Sequence, residues 1–320
     1  MDSTDTLEYF GQAYRNSPQI NTNPNRVWAT AFLDKRDIPG ILTLHHTMRK
    51  TRTKYRLAVL VTEETQQDDL LARFFKVAGI TVITAALTFP SHEIPEIQRQ
   101  QLQMVAWSCI NFERVILLSP TQLILKNIDC LMDVADPSVS DQFLGHLGTR
   151  QPRPPPGDTI CAPCTCTCLT TRPCVYNLSF LIPGAGPFEL GSIPPILNHT
   201  GLSTIVLRPT VEMYYRLSSH SPPEMHAIEG ILNYRWRPLS WWFDARLSFR
   251  QNHPEAWGRA KERRVIRVVN YDVGRRPWER GGRGEGEGEE EEWWWDAMGE
   301  VEGEWTSGEW KEKKWLWSKF

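Results

Sequence analysis

The chain has 320 residues, with 36 Lys plus Arg against 38 Asp plus Glu, 23 prolines and 14 tryptophans. That length suits one large domain or two modest ones, and a formal net charge of -2 offers no basic excess to a nucleic-acid backbone. No stretch approaches the roughly 18 uncharged apolar residues of a membrane-spanning helix, and the opening MDSTDTLEYF lacks the basic and apolar regions of a signal peptide, so a cytoplasmic protein without nucleic-acid or membrane partners is expected.

Residues 1–25 are polar, carry Pro18 and Pro24, and read as a disordered lead-in. From Val27 to Phe32 a short apolar run predicts a strand. Asp37-Ile38-Pro39 then supplies a cap and a first-turn proline, and Ile41, Leu42, Leu44, His45 and Met48 recur at helical spacing. The unit repeats: Leu57 to Val61 predicts a strand, and Leu70, Leu71, Phe74, Phe75 and Ala78 mark the inner face of a helix stopped at Gly79. Thr81 to Ala85 follows as a third strand and Ile97 to Cys109 as another helix. Val115 to Leu118 is a continuous apolar run, the pattern of a strand buried on both faces. Strands and helices alternating in this way imply an α/β fold with a mainly parallel sheet sandwiched by helices, right-handed crossovers, and a ligand site at the carboxyl ends of the strands. Neither G-x-G-x-x-G nor G-x-x-x-x-G-K-[ST] accompanies these strands, so a dinucleotide or P-loop phosphate cradle is excluded.

Residues 151–174 form a Pro- and Cys-rich insertion. Cys161, Cys164, Cys166, Cys168 and Cys174 could bind a soft metal through thiolates, but they lack paired C-x2-C spacing and have no histidine among them. The composition there reads instead as a disordered loop. Beyond Trp278 the character changes again. Residues 279–320 hold 13 acidic and 6 basic side chains, a net of -7, which leaves 30 basic and 25 acidic residues, +5, for everything before. Within this tail, 279–292 is a Gly/Glu-rich linker by composition and 293–320 a Trp-rich acidic segment with half of the tryptophans. Those tryptophans could form an exposed partner-binding stripe or a strap over the preceding domain.

Several segments, in order and spacing, resemble glycosyltransferase family 8, which includes glycogenin and galactinol synthase. The strongest is Trp107-Ser108-Cys109-Ile110-Asn111-Phe112-Glu113-Arg114-Val115-Ile116-Leu117-Leu118, continuing through Leu123-Ile124-Leu125-Lys126-Asn127-Ile128-Asp129. Pro39-Gly40-Ile41 looks like the family's first helix, and Tyr176-Asn177-Leu178-Ser179 like its F-N-x-G strand. Asn270-x5-Arg276-Pro277-Trp278 keeps the spacing of its H-x5-K-P-W. The resemblance covers residues 26–278 and implies a GT-A nucleotide-sugar fold. It further implies transfer of a hexose from a UDP-sugar to a carbohydrate or protein acceptor, with retention and with Mn2+ as the family's cofactor.

Carried over position by position, the resemblance places Ala31 and Phe32, Gln103, Ser119, Thr121, Asn177, Glu229 and Arg276 at nucleotide-sugar-binding positions, and Asn270 at the metal histidine. The chain departs from the family at most of them. Ser119-Pro120-Thr121 stands for Asp-x-Asp, Gln103 for a diphosphate-gripping lysine, Ile228-Glu229 for Asp-Gln, and Arg276 for the lysine of K-P-W. Two hydroxyls and an amide are weak ligands for a hard cation that prefers carboxylates. Impaired transfer is therefore expected, with a non-catalytic nucleotide-, glycan- or protein-binding module as the alternative. Ser119-Pro120-Thr121 reads as a simple strand-to-loop turn in preference to a remodelled metal-free donor site, Asn177 could bind sugar or satisfy backbone groups, and Arg276 could grip phosphate or stack on Trp278.

Overall fold

The computed structural model describes residues 25–85, 95–133, 160–163, 203–218, 236–239, 241–252, 254–271, 276–279, 283, 288–306 and 311–319. The apolar runs become the parallel strands β1 (Arg26–Ala31), β2 (Leu57–Thr62), β3 (Thr81–Ala85) and β4 (Arg114–Leu118). Between them lie the helices α1 (Ile38–Lys50), α2 (Asp69–Ala78) and α3 (Pro95–Met104). The bounds of α2 have clear chemical causes: the Asp68 side chain accepts from the N–H groups of Leu70 and Leu71, and Gly79 takes φ 74° to close the end. The helix expected over Ile97 to Cys109 is shorter, tightening into a 3-10 turn at Val105–Ser108. Asp37 occupies the position before α1, as expected, but its side chain makes no cap hydrogen bond.

The chain continues through β5 (Gln122–Ile124), β6 (Ile160–Pro163), β7 (Thr204–Leu207), α4 (Val211–Ser218), β8 (Trp236–Leu239), β9 (Ala245–Arg246), α5 (Leu247–Asn252), α6 (Pro254–Glu262), β10 (Val268–Asn270), α7 (Glu289–Thr306) and α8 (Lys311–Trp317). The main sheet has the order β3-β2-β1-β4-β7-β6-β8, in which β7 alone runs against the others. Residues 160–163, read from composition as part of a loop, thus supply a strand, because Ile160 to Pro163 pairs with β8. Cys164, Cys166, Cys168 and Cys174 lie outside the described residues, as do the 176–183 strand expectation and residues 1–24.

Period-two alternation in β1 sends Val27 and Ala29 to one face of the sheet and Trp28 and Phe32 to the other. On the first face they meet Trp107, Met104 and Met213, from α3, the turn after it and α4. On the second, α1 and α2 cover the sheet, with Ile41, Phe74 and Phe75 fully buried. A smaller sheet, β5-β10-β9, adds Leu123, Val269 and Ala245 to this face. β10 runs antiparallel to β5 and parallel to β9.

The tryptophan-rich tail is a strap. α7 packs along α1 and α8 against α2. Trp294 is fully buried and stacks on Trp278 at 5.1 Å between ring centroids, while Trp305 stacks on Phe74 at 4.8 Å. Residues 289–292, read as linker, form the first turn of α7. The reason is a remote partnership: the buried Glu290 carboxylate accepts from Trp257 Nε1 at 2.9 Å and from Arg250. A polar seam joins α7 to α1, where His46 sits between Glu300 (2.8 Å) and Glu304 (3.1 Å), and Lys50 reaches Glu300. Among the described residues, no helix is long and apolar enough to cross a membrane.

Candidate functional site

The small sheet exists where β4 runs out, and this is what assembles the site. Leu118 ends β4, the turn Ser119-Pro120-Thr121 follows, and β5 begins at Gln122. Register pairs Asn270 with Gln122 and with Arg246, so the end of β10 lies between that turn and β9. The backbone N–H of Tyr271 donates to Thr121 O at 2.8 Å and holds the two segments together. Three sequence-predicted positions, separated by about 150 residues of chain, are thereby brought into one buried cluster.

Its hydrogen bonds have a definite direction. Asn270 Nδ2 donates to Asp244 Oδ1 at 2.8 Å, which fixes the amide and turns Oδ1 toward Thr121. Thr121 Oγ1 donates to that oxygen at 2.7 Å, so its 2.7 Å contact with Ser119 must be a bond donated by the Ser119 hydroxyl. Ser119 Oγ in turn accepts from the Thr121 N–H at 3.3 Å. The chain of donors ends on Asp244, whose side chain is fully buried. Asp244 Oδ1 also accepts from Gln122 Nε2 at 2.6 Å, while Oδ2 accepts from Ser203 and from Arg246 Nε at 3.4 Å. Gln122 closes the loop by accepting from Ser119 N at 2.9 Å.

This donor set holds one anionic side chain, Asp244, and four donors already occupy its two oxygens. A hard divalent cation selects several unshared carboxylate oxygens, so the chemistry of these side chains does not fit such an ion. Among the described residues no group of three or more His, Cys, Asp and Glu side chains is placed to hold a metal.

The other candidate positions fall into two places. At the carboxyl end of β1, Ala31 packs with Leu102 and Val105, whereas Phe32 is fully buried and edge-on to Phe75 at 5.2 Å. Phe32 is therefore a core residue and offers no surface to a ligand. Gln103 is buried on α3. One turn earlier on the same helix Arg99, which sequence reasoning missed, donates through Nη2 to Asp37 Oδ1 at 2.9 Å and through Nη1 to Oδ2 at 3.3 Å. Arg276 reaches the same carboxylate at 3.4 Å, contacts Glu279 at 3.2 Å, and lies over the Trp278 ring at 5.9 Å, so the stacking contact is present and its guanidinium is engaged with two carboxylates. Asn177 and Glu229 lie outside the described residues.

Gly40 ties the two places together. A Cβ there would lie 2.5 Å from Pro120 O and 2.6 Å from the edge of the Trp278 ring, so only glycine lets α1 approach both. Asp244 and Gln122 were also invisible as site residues in the sequence. The one available signal for Asp244 is an unpaired acid inside the apolar run Trp241-Trp242-Phe243-Asp244-Ala245.

The architecture is that of a GT-A fold, an α/β layer structure with a mostly parallel central sheet. Solved structures with this arrangement include the glycosyltransferase GlyE of Streptococcus pneumoniae TIGR4 (TM-score 0.51, 13% identity, 90% of this chain and 64% of that one). The bifunctional glycosyltransferase WbbM is similar over 95% of this chain and 53% of its own (TM-score 0.54, 10% identity). The galactosyltransferase LgtC, solved with donor and acceptor sugar analogues, aligns over 86% of this chain and 95% of its own (TM-score 0.51, 14% identity). The chain thus spans less than two thirds of GlyE and of WbbM. No protein-family model matches the sequence, and no curated protein matches it.

Proposed function

We propose that this chain is a glycosyltransferase of the family 8 kind, cytosolic, that takes a UDP-hexose and transfers the hexose with retention to a carbohydrate or protein acceptor. The observation that carries the reading is the convergence of Ser119, Thr121 and Asn270 at the end of β4. Three positions chosen from a motif pattern meet in one buried cluster at the strand ends where α/β sheets bind ligands. LgtC, of similar fold, was captured with donor and acceptor sugar analogues, which supports a sugar donor and a carbohydrate acceptor here.

The proposal includes metal-independent donor binding with slow turnover. Loss of a leaving diphosphate needs positive charge close to the breaking bond, and a divalent ion commonly supplies it. Here Arg99 and Arg276, which converge on Asp37 just beyond the carboxyl end of β1, are both engaged with that carboxylate. Titration calorimetry with UDP, with and without manganese, together with UDP release from UDP-hexoses, tests the reading. The expected result is UDP binding indifferent to manganese, lost in Arg276→Ala, with slow but measurable UDP release. Absence of UDP binding would overturn it, and binding without any release would reduce the protein to a binding module.

A further inference from the structure

Asp37 has an unusual setting for a carboxylate at a helix start. It stands at the N-cap position of α1 yet caps nothing, and the residue is only 1% exposed. Instead its oxygens are gripped from outside the helix. Oδ1 accepts from Arg99 Nη2 and Arg276 Nη1, and Oδ2 accepts from Arg99 Nη1 and from the Leu33 N–H at 3.0 Å. Two guanidinium groups and a backbone N–H converging on one pair of oxygens is the donor arrangement that recognises a phosphate. Arg276 also has a surplus donor, because its Nε is buried with no hydrogen-bond partner.

We propose that Arg99, Arg276 and the Leu33 N–H form an anion site that Asp37 occupies as a tethered stand-in, and that a diphosphate competes with Asp37 for it. Three elements contribute: α3 through Arg99, the end of β1 through Leu33, and the segment after β10 through Arg276. Planar guanidinium groups bind carboxylate and phosphate oxygens alike, so a diphosphate can take over the donors that Asp37 now accepts from as its carboxylate swings aside. A tethered competitor acts at a high effective concentration and raises the ligand concentration needed to displace it. This deepens the proposed function by adding self-restraint to donor binding, and its UDP arm rests on that reading, but the anion site itself does not.

The test uses the full chain and inorganic pyrophosphate as the probe, measured by calorimetry at low salt with circular dichroism confirming the fold. Asp37→Asn is expected to bind pyrophosphate on the order of tenfold more tightly than the wild type. Adding Arg276→Ala to that variant should remove the gain. If Asp37→Asn does not fold because the two guanidinium groups lose their partner, Arg276→Gln in the otherwise wild-type chain keeps the Asp37–Arg99 pair and should weaken the wild type's pyrophosphate binding. No gain in Asp37→Asn or, where that variant does not fold, no loss in Arg276→Gln overturns the proposal, even where the wild type binds UDP. A gain for pyrophosphate without one for UDP supports the anion site and counts against the nucleotide-sugar reading, so the two failures are separable.

Discussion

Replacing Gly40 with alanine sets two physical effects against each other. Gly40 is the third residue of α1, and alanine in place of glycine favours a helix by about 1 kcal/mol in an interior position. Propensity alone therefore makes Gly40→Ala stabilising. The new Cβ, however, would meet Pro120 O at 2.5 Å and the Trp278 ring at 2.6 Å, distances that real methyl groups do not adopt. The first neighbour is backbone, in the turn between β4 and β5, and the second is an indole stacked on Trp294, so neither yields freely. Overpacking of this kind costs about 1–3 kcal/mol, which outweighs the propensity gain and turns the sign. Gly299, in the middle of α7, is the internal control: a methyl group there would meet nothing within 4 Å, and Gly299→Ala should stabilise by about 1 kcal/mol. Urea denaturation followed by tryptophan fluorescence measures both, and the expectation is a lower midpoint for the first and a higher one for the second at unchanged slope. If Gly40→Ala raises the midpoint as Gly299→Ala does, the close approach of α1 to the Pro120 turn is wrong.

The remaining predictions concern the strap and the cluster. Trp294→Ala removes a fully buried indole packed between Trp278 and Trp295 and should cost about 3–5 kcal/mol, read as a loss of urea midpoint and as faster proteolysis within α7; an unchanged midpoint would mean the strap is not docked. The Lys50 ammonium, and after it His46, holds the Glu300 carboxyl below its ordinary value, so the stabilisation it brings is complete above the unfolded carboxylate range and fades as pH falls through the folded one. Thermal melts between pH 6 and pH 3 should show that loss, and Lys50→Met should flatten it. Installing Ser119→Asp, Thr121→Asp and Asn270→His together should create measurable manganese affinity by calorimetry; no gain would show that the backbone of the turn, and not only its side chains, departs from a metal site.

Much of the frame was legible because buried parallel strands advertise themselves. β1 to β4 are short runs of apolar side chains flanked by breakers, and α2 carries its own stop in Gly79. The convergence of Ser119, Thr121 and Asn270 was legible only as a pattern of spacing, since nothing in three neutral side chains announces a site. What stayed hidden depends on partners far along the chain. Arg99 lies in a helix rich in glutamine and reads as a solvated residue until Asp37 is found beside it. Glu290 and Glu291 belong to a run of acids that composition assigns to a flexible linker, yet both are buried, and for Glu290 the cause is Arg250 and Trp257 from about 35 residues away. The tryptophans of the tail follow no clean helical period because they are split between two helices, with Trp294 and Trp305 of α7 buried while Trp317 of α8 is half-buried and Trp315 exposed.

The direction of the hydrogen bonds from Ser119 to Asp244 also acts as a ratchet. A carboxylate introduced at Thr121 alone would set acceptor against acceptor, facing the Asn270 oxygen that Thr121 now satisfies. Turning the Asn270 amide over would relieve that contact only by aiming its oxygen at Asp244, an anion already buried. Each single step toward a metal centre therefore leaves a buried charge or lone pair unmet, a penalty of about 1–3 kcal/mol or more. A protein with this cluster can drift freely among neutral residues at its surface, but it can regain a cation site only by changing several buried positions at once.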